Sequence, residues 1–166
     1  MVRPISQSKK RAIDWHSDYN LFRSGVRTSS TSVRMSNNFG FELMQDWDIK
    51  RARMQLMRCT QLQTQMYPFR PRMPTAYMNL GHSYYMQGEF DQTVEYYRRS
   101  FQLDPSNAVA ANNLGALMGI FGSITMRIEL VKEGLEFYQR AVKHAPGYVY
   151  ARSSMRFMRD VFINWK

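Results

Sequence analysis

Between residues 77 and 107 the apolar side chains fall into two stripes that suit a pair of short helices. Tyr77, Leu80, Gly81, Tyr84 and Tyr85 recur at steps of three and four, which places them on one helix face. Phe90, Val94, Tyr97 and Phe101 repeat that spacing. Gly88 lies between the stripes and tolerates the left-handed conformation that ends a helix. Asp104-Pro105 stops the second stripe, because proline removes a backbone donor and clashes with the preceding turn. Gly81 sits in mid-helix, where glycine costs about 1 kcal/mol relative to alanine, so a closely packed second backbone is expected beside it. Neither helix can bury its face alone, and the pattern therefore calls for stacking against further helices.

These residues are similar to a tetratricopeptide repeat (TPR), a unit of about 34 residues folded as two antiparallel helices. Tyr77 stands at the tryptophan place of the family pattern. Leu80, Gly81, Tyr84, Gly88, Tyr97 and the closing Pro105 follow in register, which sets repeat 1 at 74–107. Thr93 departs from the small alanine of the family pattern, and Ser100 sits at another small-residue place. Leu114 and Gly115 repeat Leu80 and Gly81 after 34 residues, and Gly122 repeats Gly88. Gly134, Tyr138, Ala141 and Pro146 then recover the second-helix pattern seven residues late, giving a repeat 2 over 108–148. The delay is read as a lengthened second helix over 123–144, capped by Ser123; a longer loop around 123–125 is the alternative. Gly119 is placed on the groove side. The resemblance implies an all-α, TPR-like helical-hairpin solenoid.

Around the repeats, 41–67 is free of Gly and Pro through residue 66 and reads as one leading helix. Cys59 and Pro71 fall where a small residue and a closing proline of an earlier unit would, with Gln63 in the aromatic's place. Residues 149–166 read as a capping helix, with Ala151, Met155, Met158, Phe162 and Trp165 on one face and Arg152, Arg156 and Arg159 on the other; Arg152, Arg156, Arg159 and Trp165 are expected to contact a partner. Residues 41–166 thus form the helical domain.

The net charge is +10, and its placement is informative. Residues 1–73 hold 13 Lys/Arg against 5 Asp/Glu, residues 74–148 hold 6 against 7, and residues 149–166 hold 4 against 1. The repeats are neutral and their flanks basic. Residues 1–40 are rich in Ser, Thr, Asn and Arg, with Asp14 and Asp18 the sole acids, and no helical stripe is read through them. They read as an extended basic arm laid across partner proteins, with Trp15, Tyr19, Phe22, Phe39 and Phe41 as anchors and Arg3, Arg11, Arg23 and Arg27 between them. Arg-rich, Ser-rich and acid-poor is also how a mitochondrial transit segment reads; otherwise the expected location is the cytoplasm.

The single cysteine, Cys59, excludes an intrachain disulfide. The longest apolar run, 114–121, is far below the ~18 residues of a membrane span. His16, His82 and His144 have no metal-ligand spacing, no phosphate loop is present, and Glu89, Asp91 and Glu95 suit the start of a solvated helix. No active site, metal or cofactor is expected. One TPR subclass clamps a C-terminal carboxylate with Lys, Arg and Asn. The matching face here offers Met78, His82, Tyr85, Met86 and Asn112, with no Lys or Arg, so the clamp does not carry over. An apolar helix or strand of a partner suits that groove, and so does this chain's own 41–66 helix.

The expectation is a non-catalytic protein-interaction scaffold, not a free monomer. It is read as an accessory subunit of a large mitochondrial assembly of the respiratory-chain or ATP-synthase kind. A mitochondrial ribosomal protein contacting RNA and an axonemal lattice protein are the alternatives.

Overall fold

A computed structural model of the protein describes residues 18–29, 31–65 and 72–164. Among them are eight helices: α1 Asp18–Thr28, α2 Val33–Gln45, α3 Ile49–Gln65, α4 Pro74–Tyr85, α5 Phe90–Leu103, α6 Ala108–Ile124, α7 Ile128–His144 and α8 Val149–Asn164. The chain divides into two compact units, Met1–Phe90 and Asp91–Lys166.

In the first unit α2 packs along α3, α1 lies on α2, and α4 touches both α2 and α3. The supposed extended arm is therefore helical over 18–28 and again from 33, and Arg3, Arg11 and Trp15 lie outside the described residues. Two side chains assigned as partner anchors serve this unit instead. Phe39 is buried and meets the Tyr19 ring edge-on at 5.5 Å. The leading helix is two helices, because the chain turns at 46–48 without glycine or proline. Trp47 adopts φ 60 there. Its N–H donates to Met44 O and that of Asp48 to Leu43 O, while Asp48 Oδ1 accepts from Arg51 N at 3.2 Å and starts α3.

The same turn recurs. Gly88, at φ 75, donates to Tyr85 O, and Glu89 N donates to Tyr84 O. Met126, at φ 55, is followed by Arg127 N donating to Gly122 O. The order helix–turn–helix thus occurs three times along the chain, α2–α3, α4–α5 and α6–α7, where two were expected, and α2–α3 and α6–α7 each pack within one unit. Their second helices align at 41-residue intervals: Ala52, Thr93 and Gly134; Leu56, Tyr97 and Tyr138; Cys59, Ser100 and Ala141, all buried. Cys59 therefore stands at the place of Ser100, Leu56 holds the aromatic's place, and Gln63 is buried farther on. Pro71 lies outside the described residues. In the first helices, Phe39-Gly40 matches Leu80-Gly81 and Leu114-Gly115, again all buried. Leu43, Leu56, Leu80 and Leu114 are fully buried, each worth about 1.5–3 kcal/mol relative to exposure.

In the second unit α7 packs along α6, and α8 lies on α7 and touches α6. No helix extends over 123–144: α6 runs 17 residues where α4 runs 12, α7 runs 17 where α5 runs 14, and the turn falls at 125–127. Ser123 is inside α6. Gly122 is not a helix end either; a Cβ there would meet Val131 Cγ2 at 2.6 Å and Val131 N at 2.7 Å. Met126 takes the role of Gly88. Gly119 faces the fold and not a groove, since a Cβ on it would collide with the Met158 methyl. Val131, Tyr138 and Met158 form one buried cluster of this unit, flanked by Ala116, Leu135, Met155 and Phe162.

Candidate functional site

A cleft of about 450 Å³ opens in the first unit between α1, α2 and α4. Asp18 and Phe22 come from α1, Asn37, Asn38, Phe41 and Glu42 from α2, and Thr75, Met78 and Asn79 from α4. The helical period places 37, 38, 41 and 42 on one side of α2, and 75, 78 and 79 on one side of α4. A chain of amides crosses the cleft wall. Asn79 Nδ2 donates to Asn37 Oδ1 at 3.1 Å, and Asn37 Nδ2 donates to Asn38 Oδ1 at 3.2 Å. Asn37 is buried, so these bonds fix its orientation.

Among the described residues the lining contains two acids and no Lys, Arg or His. Desolvation pushes the Glu42 carboxyl above its usual range, and the nearby carboxylates of Asp18 and Asp46 push the same way. Around these carboxylates the cleft is apolar, through Phe22, Phe41 and Met78, and amide-rich. Such a surface can hold an extended backbone by amide hydrogen bonds and accept a cationic side chain.

Of the residues expected to form a groove, Met78, His82, Tyr85 and Met86 lie on or just after α4 in the first unit, and Asn112 lies on α6 in the second. Met78 lines the cleft. His82 and Tyr85 stack at 6.0 Å and 19°, and Phe90 meets Tyr85 edge-on at 6.2 Å, making an aromatic row at the end of α4. Desolvation lowers the His82 pKa. Met86 is half-buried in the turn after α4. Asn112 belongs to α6 in the second unit, half-buried, with Oδ1 unpaired among the described residues. Of the arm residues, Phe22 lines the cleft, Tyr19 packs on Phe39, and Arg23 and Arg27 are exposed on α1. The amide chain and both acids were missed. Asn37-Asn38 lies two and one residues before the Phe39-Gly40 pair, as Met78-Asn79 does before Leu80-Gly81, and that parallel was the available signal.

On α8, Ala151 and Met158 are buried, Met155 and Phe162 half-buried, and Arg152, Arg156 and Arg159 exposed, as the periodicity requires; Trp165 lies outside the described residues. Cys59 is buried and donates to Val33 O at 3.2 Å, and desolvation pushes its thiol up to about 12. It serves to tie α3 to α2. Among the described residues no helix is long and apolar enough to cross a membrane.

The tetratricopeptide-repeat family model matches residues 74–107, covering α4 and α5. The human Protein O-mannosyl-transferase TMTC3 is 23% identical over 146 residues, covering 83% of this chain. This chain spans only about 15% of that relative's length. A crystal structure of MamA protein superposes with a TM-score of 0.67 at 18% identity, over 95% of this chain and 82% of that one. The first TPR of Spaghetti (RPAP3), bound to HSP90 peptide SRMEEVD, gives 0.64 at 14% identity, over 79% and 93%. At such identities the structures share the fold alone. The chain thus carries a match to the tetratricopeptide repeat over 74–107 and shares the all-α helical-repeat fold of these neighbours.

Proposed function

We propose that this chain is a scaffold that holds an extended, basic segment of a partner protein in the cleft between α1, α2 and α4. The observation that carries the reading is the lining itself: Asp18 and Glu42 supply negative charge, the Asn37–Asn38–Asn79 chain supplies backbone partners, and the described lining residues include no cation. The overall charge of +10 opposes a basic ligand only at long range. At physiological ionic strength the screening length is about 8 Å, so the carboxylates in the cleft dominate what is felt there. An acidic peptide such as SRMEEVD, bound by one structural neighbour, is disfavoured in the same field.

A fluorescent peptide of alternating arginine and serine tests this against labelled SRMEEVD by anisotropy. The basic peptide is expected to bind at least tenfold tighter, and D18N/E42Q to lose about tenfold of that affinity. Preference for SRMEEVD would overturn the reading.

The reading extends to the assembly. The chain works as an accessory subunit of a large mitochondrial complex, of the respiratory-chain or ATP-synthase kind. What supports the location is residues 1–40, rich in Arg, Ser and Thr with two acids. Purification through a tag after Lys166, with mass spectrometry of the co-purifying proteins, tests it; a free monomer, or a cytoplasmic signal on imaging, would sink it. Retention that falls steeply with salt would instead favour RNA of a mitochondrial ribosome.

A further inference from the structure

We propose that the arginine face of α8 is a seat for an acidic helix of a partner protein. α4, α6 and α8 are equivalent helices, since α6 and α8 each begin three residues after a proline, Pro105 and Pro146. Their fourth, eighth and eleventh residues form one row. In α4 that row is Tyr77, Gly81 and Tyr84, and in α6 it is Ala111, Gly115 and Met118, all buried or half-buried. In α6 the row faces the second helix of its own unit: a Cβ on Gly115 would lie 2.9 Å from the Tyr138 ring and 3.0 Å from Gly134 O. In α8 the row is Arg152, Arg156 and Arg159, all exposed, continued by exposed Ile163. The place occupied by a second helix in the preceding unit is thus lined by three guanidinium groups.

The one acid of α8, Asp160, makes no ion pair with them. Arg152 donates to the Pro146 carbonyl, and among the described residues none of the three is in an ion pair. Like charges three and four residues apart oppose the helix that carries them. The opposite face of α8 is already committed through Met155, Met158 and Phe162 to the core with Val131 and Tyr138. Arginine presents a planar fork that matches carboxylates, which suits a pairing surface better than a purely solvated one. The occupant this face fits is a helix with Glu at the same four-and-three spacing and an apolar side chain one turn on, against Ile163.

The probe is an end-capped, fluorescein-labelled alanine-based peptide with that pattern, titrated into the full chain at about 50 mM and about 200 mM sodium chloride. Saturable binding that weakens severalfold at the higher salt is expected. R152Q/R156Q/R159Q should lose at least tenfold in affinity while keeping its circular dichroism and Tm, and D18N/E42Q should bind as the unaltered chain does. Full affinity in the triple variant would place the interaction on other basic residues and overturn the proposal. Equal binding of a glutamine-for-glutamate peptide, or no binding at the lower salt, would overturn it too.

Discussion

The α2–α3 and α6–α7 pairs follow one plan and are held by different means. In α2–α3 a single glycine permits the close approach: a Cβ on Gly40 would meet Leu56 Cγ at 2.6 Å and Ala52 O at 3.3 Å. In α6–α7 the backbones themselves nearly touch. A Cβ on Gly134 would lie 2.9 Å from both Gly115 O and Gly119 N, and Gly115, Gly119 and Gly122 line the facing side of α6. The polar means differ as well. The first unit ties α3 to α4 through Arg53, whose guanidinium lies 4.7 Å above the Tyr84 ring and pairs with Glu89. The second ties α5 to α7 through Arg98 and Glu133, and through the Phe101 and Phe137 rings at 5.4 Å.

The largest effect expected from breaking this comparison is deletion of residues 1–40. A chain of 41–166 loses α1 and over half of α2, including buried Phe39 and Gly40, and uncovers Leu43 and Leu56. The first unit should lose cooperative unfolding, seen as reduced helical circular dichroism and rapid proteolysis, while the second persists. Native-like helicity in the shortened chain would show that α1 and α2 are dispensable to the core.

Next comes Gly134→Ala, which must displace backbone and should cost about 3 kcal/mol in chemical denaturation. Gly40→Ala meets mainly a Leu56 side chain that can change rotamer, so about 1–2 kcal/mol is expected. Equal losses would erase the distinction between the two pairs.

The turns give a smaller effect of opposite signs. Trp47 is 79% exposed at φ 60, so Trp47→Gly removes strain and little packing, for a gain of about 1 kcal/mol. Gly88→Ala imposes the same strain and should lose about 1 kcal/mol. Thermal denaturation of both reads the signs directly.

Smallest is the pH effect at Glu42. Its folded pKa is raised by desolvation first and by Asp18 and Asp46 next. A raised acid contributes stability below its unfolded pKa and loses it as pH rises through the folded value. Glu42→Gln should therefore be slightly more stable than the native chain at neutral pH, with the gap closing below the ordinary carboxylate range. A Tm series against pH that showed the reverse slope would contradict the cleft's electrostatics.

These contrasts also explain what the sequence could reveal. The α4–α5 unit was legible because Gly88 supplies the left-handed turn and Tyr97 the aromatic. The α2–α3 unit was hidden because Trp47 makes the same turn at a residue type that rarely adopts it, and Leu56 replaces the aromatic. In α6–α7, Gly122 drew the helix end to the wrong place: its lack of a side chain serves packing against Val131, and Met126 makes the turn. α1 buries only Val26 among its 11 residues, which is too faint a stripe to read. The cleft was half legible. Met78 and the aromatics were visible, whereas the Asn37–Asn79 pairing joins residues 42 apart and needed the hidden unit to be known.

The central claim, that the first unit holds a basic peptide, is tested most directly by site-resolved NMR of the full chain titrated with the arginine–serine peptide. The account predicts saturable shifts in the side-chain amides of Asn37, Asn38 and Asn79 and the backbone amides of Glu42 and Met78, with 108–164 unmoved. Shifts confined to the second unit, or none at saturating peptide, would contradict it.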